Sequence, residues 1–205
     1  FPVTIDAKRT VCFISGLHGN EPAGPLGVLK FLEDKVHVPR TKRVILIPLV
    51  NPTGWNKGTR ENEDGDDLNR LFLDKDLKGE CRYIWDAIKD DDILMLHTLH
   101  EDPDLKEFYL YYTHDKELAE DIRELASKYF PIYGKSSREP LPGEIYKDKI
   151  YQGLVPLPHI KRGGIEDRVL EMGIPYIVTE TPGKANLSRR VKFSAEAMKL
   201  TIHSI

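Results

Sequence analysis

The stretch Val11-Cys12-Phe13-Ile14-Ser15-Gly16-Leu17-His18-Gly19-Asn20-Glu21-Pro22 sets the architecture of the chain. Its first five residues form a short apolar run of the kind that makes a buried strand. Glycine and asparagine then break the run. Pro22 suits the first turn of a helix, where a missing N–H is no loss, and Leu26, Leu29 and Leu32 follow at roughly helical spacing.

The same alternation runs through the rest of the chain. Val44-Ile45-Leu46-Ile47-Pro48-Leu49-Val50 reads as a second buried run, closed by the turn signal Asn51-Pro52-Thr53-Gly54. Residues 55–78 are polar and irregular, long for a connection and hence a candidate functional loop. Residues 80–89 look helical, with Tyr83, Ile84, Ala87 and Ile88 as an apolar face, and residues 93–96 are a third apolar run ending at His97. Phe108-Tyr109-Leu110-Tyr111-Tyr112 is rich in strand formers. Residues 115–129 make an amphipathic helix, and residues 131–164, with several Pro and Gly, suit a lid or rim. A short helix over 165–172 ends at Gly173, Tyr176-Ile177-Val178-Thr179 is another strand, and Asn186-Leu187-Ser188 opens a terminal helix. Strand alternating with helix predicts an α/β fold: one catalytic domain over 1–205, built on a doubly wound, mostly parallel (mixed) sheet with helices on both faces. In such sheets ligands gather at the carboxyl ends of the strands.

Bulk properties narrow the function. Of 205 residues, 40% are hydrophobic and 31% charged, enough for a packed core in an ordinary globular chain. The formal net charge is −3 and no basic stripe is present, only pairs such as Lys161-Arg162 and Arg189-Arg190, which sets nucleic acid aside. Cys12 and Cys81 form no CxxC pair and read as buried free thiols. No apolar run approaches the ~20 residues that cross a bilayer. The start, Phe1-Pro2-Val3-Thr4, shows no signal-peptide pattern and no initiator Met, so a cytoplasmic location is expected, with trimming of the N-terminus possible.

Chemistry-bearing residues follow the strands. After the first come His18 and Glu21, three apart with a glycine between, compact enough to grip one cation. After the third, Leu96-His97-Thr98-Leu99-His100-Glu101-Asp102 supplies further imidazoles. Each fragment alone also fits a surface turn or a satisfied core histidine. A catalytic zinc needs three N/O ligands and an open position, which His18, Glu21 and one of His97 or His100 would provide. Residues three apart on a regular strand point to opposite faces, so one of the two is expected to reach the metal. His97 directly ends the apolar run and is preferred; His100 is then a pocket or surface residue. The second loop adds Arg60 and Gly65-Asp66-Asp67-Leu68-Asn69-Arg70, where a guanidinium could fork onto a carboxylate. Val178-Thr179-Glu180-Thr181-Pro182 places a potential general base at the end of the last strand.

In order, His-x-x-Glu, Asn-Pro-x-Gly-Trp, Arg60, Asp-Leu-Asn-Arg, Leu-His-Thr and Thr-Glu-Thr resemble the zinc metallocarboxypeptidase superfamily. That group includes carboxypeptidase A-like enzymes and the succinylglutamate desuccinylase/aspartoacylase branch. The resemblance spans residues 11 to about 190. It implies one Zn2+ per chain on His18, Glu21 and His97, Arg60 polarising the scissile carbonyl, and Asn69 with Arg70 holding the substrate's carboxylate. It further implies Glu180 as the catalytic glutamate. Tyr146 and Tyr151 are the candidates for the family's mobile tyrosine. Gly163-Gly164-Ile165-Glu166-Asp167-Arg168 could line the pocket, although a solvent-facing helix start is the plainer reading.

Three functions follow from the resemblance. The first is a carboxypeptidase acting on a peptide or peptidoglycan-like fragment. The second is a deacylase of small N-acyl amino acids, and the third a zinc-binding module without catalysis. In either enzymatic case the partner is a small substrate with a free carboxylate.

Overall fold

The computed structural model describes residues 9–134, 152–156 and 162–205. Tyr146 and Tyr151 lie outside them. Strands β1 (Arg9–Ser15), β2 (Lys42–Ile47), β3 (Ile93–Asp102), β4 (Tyr109–Tyr112), β5 (Leu154–Pro156) and β6 (Tyr176–Pro182) form one sheet in the order β2-β1-β3-β6-β4-β5. β2, β1, β3 and β6 run parallel, β4 is antiparallel to β6, and β5 is parallel to β4. This is the mixed, mostly parallel α/β sheet expected. Helices α1 (Ala23–Glu33), α4 (Lys116–Ser127) and α6 (Leu187–Ser204) cover one face; α3 (Gly79–Ile88) and α5 (Ile165–Glu171) cover the other. The short α2 (Pro52–Lys57) follows β2.

The period of two in β1 explains the double layer. Val11 and Phe13 pack with Val28, Phe31, Ile122, Phe193 and Met198, whereas Cys12 and Ile14 pack with Ile84, Ile88, Ile165 and Val169. Each large side chain taken fully out of water contributes roughly 1.5–3 kcal/mol. Cys12 and Cys81 are buried free thiols, pushed up to about 12 chiefly by burial. No helix among the described residues is long and apolar enough to cross a membrane.

Several local expectations need correction. Leu29 and Leu32 are 51% and 55% exposed, because α1 buries its small face, Ala23, Gly24, Gly27 and Val28, closely against the sheet and α6. In α3 the buried positions are Cys81, Ile84 and Ile88, while Tyr83 is 77% exposed and Ala87 is exposed. β2 is an edge strand and only half buried. Asn51-Pro52-Thr53-Gly54 starts α2: the Asn51 side chain accepts from the Gly54 N–H at 2.8 Å, and Pro52 occupies the first turn. Most consequentially, β3 does not end at His97 but continues to Asp102.

Candidate metal centre

The extension of β3 decides which histidine reaches the site. His97 is paired in register with Phe13 of β1 and Ile177 of β6, in the middle of the sheet. Its side chain enters the layer under α6, with Nδ1 3.0 Å from Thr201 Oγ1 and Nε2 3.3 Å from Thr179 Oγ1. His100, three residues on, projects from the opposite face. The structure therefore brings His100, not His97, to His18 and Glu21. The apolar run ends at Leu96, whereas the strand itself runs on to Asp102.

Burial lowers the His97 pKa to about 3. A group held neutral in the fold but basic when unfolded contributes stability that is complete above its unfolded pKa. That contribution is lost as pH falls from about 6.5 toward 3. Urea melts of the metal-free protein across this window should show stability falling with acid, and His97→Gln should flatten the fall. Parallel curves for parent and variant would show that His97 is not the source.

His18 and Glu21 stand in the turn between β1 and α1. Gly16 has φ +64°, a left-handed conformation that suits glycine, and lets the chain leave the strand sharply. A Cβ on Gly19 would lie 1.9 Å from the carbonyl carbon of Gly54, so this turn rests directly on the backbone of α2. Asn51, fully buried, binds the pieces together. Its Nδ2 donates to Arg60 O at 3.2 Å and to Leu17 O at 3.4 Å, and its own N–H donates to Gly16 O at 2.8 Å. The Asn-Pro-x-Gly motif thus holds the His18 turn and the Arg60 loop together.

Within this frame, Glu21 Oε1 lies 2.6 Å from His18 Nδ1 and Glu21 Oε2 lies 2.9 Å from His100 Nδ1. The Glu101 N–H also donates to Glu21 Oε2 at 3.1 Å. One donor atom from each of His18, Glu21 and His100 falls within 4.8 Å of the others, and all three residues are buried. Asp67 backs the first histidine: its Oδ1 is 3.1 Å from His18 Nε2, and its Oδ2 accepts from Arg60 Nε at 3.0 Å. Arg60 Nη1 reaches within 3.7 Å of Glu21 Oε1.

Burial opposes charge on both His18 and Glu21, yet their mutual attraction wins. His18, beside Glu21 and Asp67, is raised to about 9; Glu21, beside two imidazoles, is lowered to about 2. Glu180 opposes His100 in the β3–β6 register and shares the cavity. Burial, partly offset by His100 and reinforced by Glu21 and Asp102, pushes its carboxyl up to about 8. A divalent cation in this cavity would favour the charged forms of both Glu21 and Glu180. Two imidazoles and a carboxylate form an N/O donor set that suits zinc.

The cavity measures about 490 Å³, and its walls include Arg60, Asn69, Arg70, Glu166 and Glu180 as well as the triad. Asn69 Oδ1 accepts from the Ile165 N–H at 3.1 Å and so fastens the second loop to the start of α5. The same helix start carries Glu166, which is buried and faces the cavity rather than solvent. Glu166, Asp67, Asn51 and His100 are the residues the sequence reading under-weighted. The Asp-Leu-Asn-Arg motif carries a signal for Asp67, and the segment 163–168 reads as a possible pocket wall, although nothing within it singles out Glu166.

Solved structures share this architecture. A candidate metallopeptidase from Shewanella baltica OS155 superposes with a TM-score of 0.79 at 26% identity, covering 98% of this chain and 78% of that one. Murein-tripeptide amidase from Escherichia coli O157 superposes at 0.66 with 16% identity, covering 98% and 83%, a likeness of fold alone. These likenesses support a relation to the zinc carboxypeptidase-like superfamily, which takes in the desuccinylase branch. Within it, residues 7–100 match the succinylglutamate desuccinylase/aspartoacylase catalytic domain. Murein peptide amidase A of Escherichia coli (strain K12) is 31% identical over 98 residues, which span 47% of this chain and 40% of that protein.

Proposed function

We propose that the protein is a zinc-dependent hydrolase that cleaves an amide bond beside a free carboxylate. In this reading residues 1–205 act as one catalytic domain, His18, Glu21 and His100 hold the zinc, and Glu180 is the general base. The observation that carries it is the meeting of three buried N/O donors and a further carboxylate, Glu180, in one cavity at the strand ends. Zinc, when bound, supplies Lewis acidity and a water of pKa ~7.

This chain's own residues do the rest. Glu180 takes a proton from the attacking water and delivers it to the leaving amine. Its carboxyl is raised to about 8 by burial and by Glu21, so it works as a base at neutral pH only while positive charge faces it. Arg60, tethered by Asp67 but partly exposed, donates to the developing oxyanion. Asn69 and Arg70 line the same cavity and receive the substrate's carboxylate.

The likeness to murein peptide amidase A favours a small peptide with a free carboxylate, of the kind found in murein, as substrate. The match to the desuccinylase/aspartoacylase domain favours the second reading, a deacylase of N-acyl amino acids. Release of free amino acid from a murein-type peptide, but not from N-succinyl or N-acetyl amino acids, would decide for the first.

Elemental analysis tests the metal reading. About one zinc per chain is expected in the parent, lost in His18→Ala and His100→Ala and retained in His97→Ala. Zinc lost with His97→Ala in a folded variant, or retained with His100→Ala, would overturn the ligand set.

A further inference from the structure

The two histidines of the triad are not equally supported. His18 turns Nδ1 to Glu21 and Nε2 to the Asp67 carboxylate. His100 turns Nδ1 to Glu21 in the same manner, but its Nε2 is buried without a hydrogen-bond partner, alone in this among the side-chain nitrogens and oxygens of the described residues. The acid that faces it is Glu166, whose Oε1 lies 3.8 Å from His100 Nε2. Thr98, two residues before His100 on the same face of β3, donates its hydroxyl to that oxygen at 2.6 Å. The helix start that carries Glu166 is fixed in turn. Asp167 Oδ2 accepts from the N–H groups of Arg162, Gly163 and Gly164, and Asn69 Oδ1 accepts from Ile165.

We propose that Glu166 is the positioning carboxylate of His100, the counterpart of Asp67 on His18. The inference rests on the metal reading above. An imidazole that ligates through Nδ1 keeps its one proton on Nε2, and a buried N–H requires an acceptor. Closing 3.8 Å to the ~2.9 Å of a hydrogen bond asks only a small rotation of either side chain. The bond would fix the tautomer and ring angle of His100 and raise its basicity toward the metal. Glu166 itself is served, because a buried carboxylate needs a donor beyond one hydroxyl. Its place in the cavity wall makes the other use of this acid, reading a cationic group on the substrate, an outcome the test must separate.

Zinc affinity, measured by competition with a chromogenic chelator, is the readout, and it involves no substrate. Glu166→Ala should bind zinc about 10–100-fold more weakly than the parent, and Glu166→Gln, which keeps a carbonyl acceptor, should recover most of the loss. In the zinc-loaded parent the His100 Nε2–H should give a slowly exchanging downfield proton resonance that moves upfield in Glu166→Gln. That signal decides the matter even where Glu166→Ala fails to fold. Parent-like affinity in Glu166→Ala, with only KM for substrate raised, would overturn the proposal in favour of substrate reading. Equal weakening by Ala and Gln would overturn it as well. A parent that binds no zinc would overturn the metal reading and this inference together, whereas a zinc-binding parent with an indifferent Glu166→Ala overturns this inference alone.

Discussion

Glu180→Gln should lower turnover by about 10²–10⁴-fold, the range of a lost general base, while zinc content stays at that of the parent. The substitution keeps the shape of the side chain on β6 and removes only its capacity to take a proton. The site makes that capacity sensitive. Glu180 is partly buried beside His100 and Glu21, and desolvation already pushes its carboxyl up to about 8. Kinetics on the zinc-loaded enzyme, with metal measured on the same sample, check both halves of the expectation. Turnover within about threefold of the parent would remove Glu180 as the base.

Arg190→Met should destabilise the fold by about 3–5 kcal/mol, the usual consequence of leaving a buried charge without its partner. Arg190 is 8% exposed on α6, and its guanidinium pairs with Glu101, 4% exposed on β3. Glu101 Oε1 also accepts the Ala23 N–H at the start of α1, at 2.5 Å, where a helix N-terminus favours negative charge. One carboxylate therefore ties three elements together one residue beyond His100. The double change Arg190→Met with Glu101→Leu removes both charges and should recover part of the loss. Urea unfolding of the parent and the two variants gives the comparison. A single variant within about 1 kcal/mol of the parent would show that the pair contributes little.

The fold was legible because its signal is local. The apolar runs at 11–15 and 176–179 and the amphipathic pattern of 115–129 each declare an element within a dozen residues. The ends of the parallel strands likewise pointed to where His18, Arg60, Asn69, Arg70 and Glu180 gather. The choice between His97 and His100 was not legible, since polarity in β3 mimics a strand end. His97, His100 and Glu101 are tolerated inside the sheet only because Thr201, Glu21 and Arg190 meet them from distant segments. Glu166 is hidden for the same reason: its partner Thr98 is 68 residues earlier. The exposed Leu29 and Leu32 misled in the other direction, because α1 is seated by glycine and alanine, whose closeness of approach no hydrophobic spacing reveals.

The amide of Asn51 bears on how the site ages. Asparagines commonly deamidate when the nitrogen of the following residue attacks the side-chain carbonyl and closes a five-membered imide. Here the following residue is Pro52, whose nitrogen carries no hydrogen to lose, and the side chain is fully buried. By that route the conversion to aspartate is closed. An aspartate there would set an oxygen against the carbonyls of Leu17 and Arg60 that Nδ2 now serves. The residue that joins the His18 turn to the Arg60 loop is thus protected by its neighbour from slow chemical decay in stored or long-lived protein.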